Sequence, residues 1–217
     1  MKSDRISEIV AAIGATGGSV PEVRDLRRHY SAQLRHLSGP AVLGLAQRLL
    51  RQRNDLVRFM AYELVKFHPA ASASLREQDV IALGEGMDSW GAVDSFSCYI
   101  AGPAWKRDQI KDSFVALWAR SKNRWWRRAA LVSTVMLNRK PVAKKNVQRT
   151  LAVCAALVAD RDDMVVKALS WALRELSKAD AGAVRRFVSE YDRALPARVK
   201  REVANKLRTG LKTPRRA

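Results

Sequence analysis

Nearly every stretch of this chain repeats its apolar residues at helical spacing, and few prolines or glycines interrupt the period. Apolar residues three and four apart share one face of a helix, whereas strict alternation would mark a strand. No convincing alternation and no Asn-Gly hairpin signal occurs, so the period restricts the chain to an all-α fold. Ile6, Ile9, Val10 and Ile13 make a first amphipathic helix, ended by Gly14 to Gly18. Pro21 then sits where a helix accepts proline, ahead of Val23, Leu26 and Tyr30. Ser38-Gly-Pro40 breaks the chain before Val42, Leu45, Leu49 and Leu50, and Asn54 or Asp55 suits the cap of the next helix. Further helices are expected over Ala71–Leu83, Asp88–Ile100, Asp108–Arg120, Asn123–Asn138, Ala143–Ala159, Asp163–Ser177, Ala181–Tyr191 and Pro196–Leu211. Connections of a few residues imply antiparallel neighbours within one domain, residues 1–212, leaving 213–217 as a basic tail. Helix pairs recur roughly every 35 to 40 residues, as in a degenerate array of HEAT-like repeats, though a compact irregular bundle would show the same helices.

Charge narrows the partners. The formal net charge of +19 points first to nucleic acid and second to an anionic membrane surface. No run approaches the roughly 18 apolar residues that a membrane span needs. The stretch Met1 to Glu8 carries charges where a secretory signal needs an apolar core, so the chain is expected to be cytoplasmic, and nucleoid-associated when on DNA. Cys98 and Cys154 lie in apolar helical contexts and read as buried thiols in a reducing compartment. His29, His36 and His68 fall in different segments with no CxxC or HExxH, so no metal site is expected.

The excess charge is concentrated in two places. Residues 105–128 carry eight Lys and Arg against Asp108 and Asp112, and residues 193–216 carry nine against Glu202. Stacked helices would bring these charges onto one edge, where neutralising phosphates releases counterions whatever the base sequence. Four of the six tryptophans, Trp105, Trp118, Trp125 and Trp126, are interleaved with the first cluster. Trp90 and Asp94 stand four apart in Asp88-Ser-Trp-Gly-Ala-Val-Asp94 and share a helical face. Spacing alone allows Trp90 to be a core residue and Asp94 a solvated charge. Trp171 and Arg174 are three apart, on a helix whose other side already supplies Val165, Val166, Leu169 and Leu173 to a core.

DSWGAVD (88–94), SKNRWWRRAALVS (121–133) and VVKALSWALRELSK (165–178) together resemble the DNA alkylation repair family, the AlkD-type HEAT-like DNA glycosylases. SVPEVRDLRR (19–28) is similar to that family's opening helix, and the likeness runs from about Ile13 to Leu211. The resemblance implies a right-handed superhelix of antiparallel helix pairs, working as a monomer on double-stranded DNA that contains alkylated bases. It implies excision of cationic N3- and N7-alkylated purines without metal or cofactor. Carried over by position, it makes Asp94, Trp90 and Trp171 the catalytic groups. It makes Arg128 and Arg174 the residues that hold the DNA backbone, with Trp126, Arg127 and Lys167 in the same motifs as further contacts. In one place the chain departs from the pattern. Where members often carry an aromatic pair against the backbone, this chain has Asp163-Met164, and an acid there is expected to repel DNA.

Those residue types suit that reaction. Cleaving the glycosidic bond of an alkylated purine builds positive charge on the deoxyribose, and a fixed carboxylate stabilises it and orients water. Indole faces attract the same charge, by about 0.5–2 kcal/mol each. Two other readings remain: a non-catalytic HEAT-like protein that binds DNA structure or RNA, and a scaffold for an acidic protein partner.

Overall fold

A computed structural model describes residues 4–213, so the expected tail lies, from 214 on, outside the described residues. Among the described residues every regular element is a helix, as the period requires. Among the described residues no helix is long and apolar enough to cross a membrane, and no group of three or more His, Cys, Asp or Glu is placed to hold a metal ion. Neither cysteine is in a disulfide; Cys154 is buried, which pushes its thiol well above the ordinary range, and Cys98 is half-buried. The chain divides into two compact units, residues 1–104 and 105–217.

The first unit begins with α1 (Asp4–Gly14), α2 (Val20–Leu34), α3 (Gly39–Leu50) and α4 (Asp55–Phe67). Their starts follow from capping chemistry. Ser19 and Glu22 form a reciprocal capping box ahead of Pro21, Ser38 caps α3, and the Asn54 side chain accepts from the amides of Leu56 and Val57. Each such cap contributes about 1 kcal/mol by satisfying amides that the first turn leaves without partners. The expected helix over 71–83 is in fact two, α5 (Pro69–Ser74) and α6 (Glu77–Gly84), separated by extended backbone at Leu75 and Arg76. Gly39 packs so closely on α5 that an added Cβ would lie 2.5 Å from the Ala70 carbonyl oxygen. Leu75 turns inward to a buried position, and Asp79 accepts from the Arg76 amide to restart the helix.

The expected helix over 88–100 also changes character. It is α7 (Trp90–Phe96) followed by a π-helical turn, Ser97–Ala101, in which the Gly102 amide bonds the Ser97 carbonyl. Pro103 offers no amide to the Tyr99 carbonyl and its ring crowds that oxygen, which a widened turn accommodates. In this unit α4 packs on α2, α3, α5 and α7, and α3 packs on α1, α5 and α6. Two rows result, α2–α4–α7 and α1–α3–α5/α6, with a core of Tyr62, Leu45, Leu49, Met60 and Phe96.

A short helix, α8 (Gly102–Lys106), holds the boundary between the units. The second unit continues with α9 (Asp112–Ala119), α10 (Arg124–Leu137), α11 (Lys144–Ala156), α12 (Asp163–Leu176), α13 (Ala181–Glu190) and α14 (Ala197–Thr209). The expected start of α9 at Asp108 is corrected by four residues, because Asp108 adopts a left-handed backbone (φ 59°) and serves as an anchor instead. Its carboxylate takes Lys145 and, at 2.8 Å, Arg149. Here α10 packs on α12 and α12 on α14, while α9, α11 and α13 form the outer partners. This alternation of a continuous row and an outer row is the packing of a helical repeat array.

Candidate nucleic-acid interface and active site

In the first unit the site is built around the start of α7. Ser89 is extended and its hydroxyl accepts from the Ala92 amide at 3.2 Å, so the helix begins with Trp90 as its first residue. The same hydroxyl donates to Asp55 at 3.4 Å, tying the cap to the first turn of α4. Ala92, Val93 and Phe96 face inward, and the Phe96 ring lies 6.0 Å from that of Tyr62. At about 100° per residue the opposite face carries Trp90 and Asp94. Trp90 is 62% exposed, the only one of the six tryptophans that is not buried or half-buried, and Asp94 is half-buried. The core reading of Trp90 is therefore wrong. A tryptophan kept in water beside a carboxylate does not serve the core. Both side chains line a cleft of about 290 Å³ whose other wall is Phe59, Leu56 and Arg58 of α4.

Beside this cleft lies a cationic surface that the residue pattern had not marked. Glu63, only 2% exposed, accepts from Arg24 at 3.1 Å and Arg27 at 3.4 Å, both on α2. Arg24 also donates to the Tyr99 hydroxyl at 3.2 Å and lies 5.5 Å from the Phe59 ring centre. One buried carboxylate thus fixes two guanidinium groups, of which Arg24 stays exposed to anions while Arg27 stacks on the Phe67 ring at 4.0 Å. The signal was present. Val57, Met60, Ala61, Leu64 and Val65 mark an apolar helix around Glu63, and a Glu inside such a helix requires a cationic partner from a neighbour.

The second unit holds the remaining candidates on α10 and α12. Asn123 caps α10, accepting from the Trp125 amide at 2.8 Å. Arg128 is 6% exposed and donates to the Met164 carbonyl at 2.6 Å, joining α10 to the start of α12. Arg127 is bound to Asp160 at 2.7 Å and to the carbonyls of Ser121 and Lys122. Trp126 packs on Trp118, ring centres 5.1 Å apart. On α12, Trp171 is half-buried, and Arg174 donates to the Ser170 hydroxyl at 3.1 Å and lies 3.9 Å from Glu202 of α14. Ser170 in turn donates to Glu202 at 2.6 Å, so the arginine is held from two sides.

Asp163 is not a bare repelling charge. It is the first residue of α12, capped by Asp162, and it pairs with Lys167 at 2.7 Å and with Arg198 of α14 at 3.0 Å. The hydrogen bond from Lys167 is the chief cause that holds its carboxyl below the ordinary range. With two cations on it, the Asp163 carboxylate is neutralised where it stands.

The sequence pattern of the DNA alkylation repair enzyme family matches residues 11–207. The chain belongs to that family. It is accordingly an enzyme of DNA repair whose substrate is DNA. No curated protein and no solved structure matches it. Each unit thus holds arginines fixed by neighbouring groups, Arg24 and Arg27 by Glu63 in the first and Arg128 and Arg174 by Met164 and Glu202 in the second. Fixed cations bind phosphates without the entropic cost of ordering them at the moment of contact.

Proposed function

We propose that this DNA repair enzyme is a monofunctional alkylpurine DNA glycosylase acting as a monomer on alkylated duplex. The observation that carries the reading is the exposed Trp90 beside Asp94 on a capped helix, lining a cleft in a strongly basic chain. In the proposed reaction the bond between C1′ and the base nitrogen breaks, and its electron pair neutralises the cationic purine. The oxygen of a water molecule bonds to C1′ and loses a proton to solvent or to the carboxylate. Asp94 stabilises the developing oxocarbenium charge and orients that water, and Trp90 and Trp171 present indole faces to the cationic sugar or base. A base that leaves as a neutral molecule needs no general acid, so one carboxylate suffices. Arg128, Arg174, Lys167, Trp126 and Arg127 serve the DNA backbone.

A duplex treated with a methylating agent tests the reading. Wild-type protein is expected to release free 7-methylguanine or 3-methyladenine and to leave an unbroken strand with an abasic site. No free base from any methylated duplex, with binding retained, would turn the reading toward a DNA-binding role without chemistry.

A further inference from the structure

Arg58 has a role that the proposed chemistry does not use. It lies in the helix α4, where Val57 and residues 60 to 65 are all buried, and it is itself 6% exposed. Its bonds are to neutral oxygens: Nη1 donates to the Tyr62 hydroxyl at 3.0 Å and the Glu85 carbonyl at 3.1 Å, and Nη2 donates to the Gly86 carbonyl at 3.2 Å. Tyr62 donates in turn to the Leu83 carbonyl at 2.8 Å, and burial pushes its hydroxyl up to about 12, so it remains a donor throughout the ordinary pH range. Three carbonyls at the end of α6 and in the following loop, those of Leu83, Glu85 and Gly86, are thus held by one Arg–Tyr pair. A buried cation is costly to desolvate, and three neutral acceptors around it need a purpose beyond packing.

The loop that it holds leads directly into α7. Gly86 has φ +67°, a conformation that side chains rarely adopt, and an added Cβ there would meet Arg58 Nη2 at 3.4 Å. Three residues later Ser89 caps α7 while donating to Asp55, one turn before Arg58 on α4. The first turns of α4 therefore grip both ends of the segment 85–89. The register of α7, and with it the direction of Trp90 and Asp94, depends on that grip. Arg58 also lines the cleft that those two residues line.

We propose that Arg58 is a positioning residue for the Trp90–Asp94 face: its guanidinium fixes the 85–86 carbonyls and so sets where α7 begins. The activity consequence rests on the glycosylase reading; the structural consequence does not. Arg58→Lys retains the charge but loses the planar fork that serves two carbonyls at once. Gly86→Ala disturbs the same loop from the other side. In both variants, amide hydrogen exchange over residues 85–94 is expected to quicken about tenfold or more while the rest of the first unit keeps its protection. Single-turnover excision is expected to fall by about 10- to 100-fold with DNA affinity within about twofold, as misplaced catalytic groups do. Unchanged exchange over 85–94 in folded Arg58→Lys overturns the proposal, as does a general loss of protection across residues 1–104. If Arg58→Lys does not fold, Gly86→Ala decides by the same two criteria. Faster loop exchange in a protein whose wild type releases no base would uphold the positioning role and remove only the glycosylase reading.

Discussion

The two units display their candidate residues in opposite ways. In the first, Trp90 and Asp94 stand at the start of a seven-residue helix, exposed or half-exposed, and their placement comes from a capped loop clamped by Asp55 and Arg58. In the second, Trp171 and Arg174 lie within a fourteen-residue helix, half-buried, and Arg174 is held by Ser170 and by Glu202 of α14. A group set by a loop can be altered without dissolving a core, whereas a group set by helix packing is coupled to stability. The difference suggests a division of labour. Under the proposed glycosylase reading, the first unit would supply the carboxylate and the second, besides Trp171, the grip on the DNA.

The largest expected effect lies in the first unit. Asp94→Asn keeps the shape and removes the charge, and its single-turnover excision rate is expected to fall by about 10²–10³-fold. Its melting temperature should match wild type; a large loss of stability would mean that Asp94 is structural and would break the comparison. Next come the indoles. Trp90→Ala and Trp171→Ala are each expected to slow excision about 3- to 30-fold, the kinetic equivalent of roughly 0.5–2 kcal/mol. They should separate in urea denaturation. The exposed Trp90 can be truncated with little change, whereas the half-buried Trp171 should lose about 1–3 kcal/mol.

Glu202→Gln sharpens the second half of the contrast. It leaves Arg174 half-buried without its counter-charge, so stability should fall by about 1–3 kcal/mol and DNA affinity severalfold, both measurable by melting and by anisotropy titration. The smallest effect is assigned to Asp163→Asn. Releasing Lys167 and Arg198 should tighten DNA binding a few-fold at low salt and steepen the salt dependence by up to about one charge. The same variant has a pH signature. Because the folded carboxyl is depressed, its ion pairs stabilise the protein above the unfolded value of about 4 and lose that contribution as pH falls through the folded value. A small deficit of Asp163→Asn against wild type at neutral pH should therefore vanish in acid.

Much of this was legible in the chain itself. The helices of the second unit, from Asn123 to Glu190, follow from apolar period and capping residues alone, because caps act locally and connections are short. Legibility failed where distant residues decide the backbone. The break at Leu75 depends on the close approach of Gly39 to α5, and the start of α9 depends on Asp108 serving Lys145 and Arg149. The same limit applies to the site. Trp90 and Asp94 could be placed on one face by spacing, but not told apart from core and surface residues; that needed the exposure of Trp90. The sequence could show that Glu63 needs a cationic partner, but not that Arg24 and Arg27 supply it, because they lie 39 and 36 residues away. That Asp163 is ion-paired was equally hidden, because its partner Arg198 comes 35 residues later.

The division between a reactive unit and a gripping unit is tested most directly by separating rate from affinity on one methylated duplex. Wild type, Asp94→Asn and Arg174→Ala would each be titrated for binding and then assayed at saturating protein for release of free base. The account predicts that Asp94→Asn binds within about twofold of wild type and excises at least a hundredfold more slowly, while Arg174→Ala chiefly loses affinity and regains most of its rate at saturation. An Asp94→Asn protein that binds poorly yet excises at the wild-type rate once saturated would contradict it.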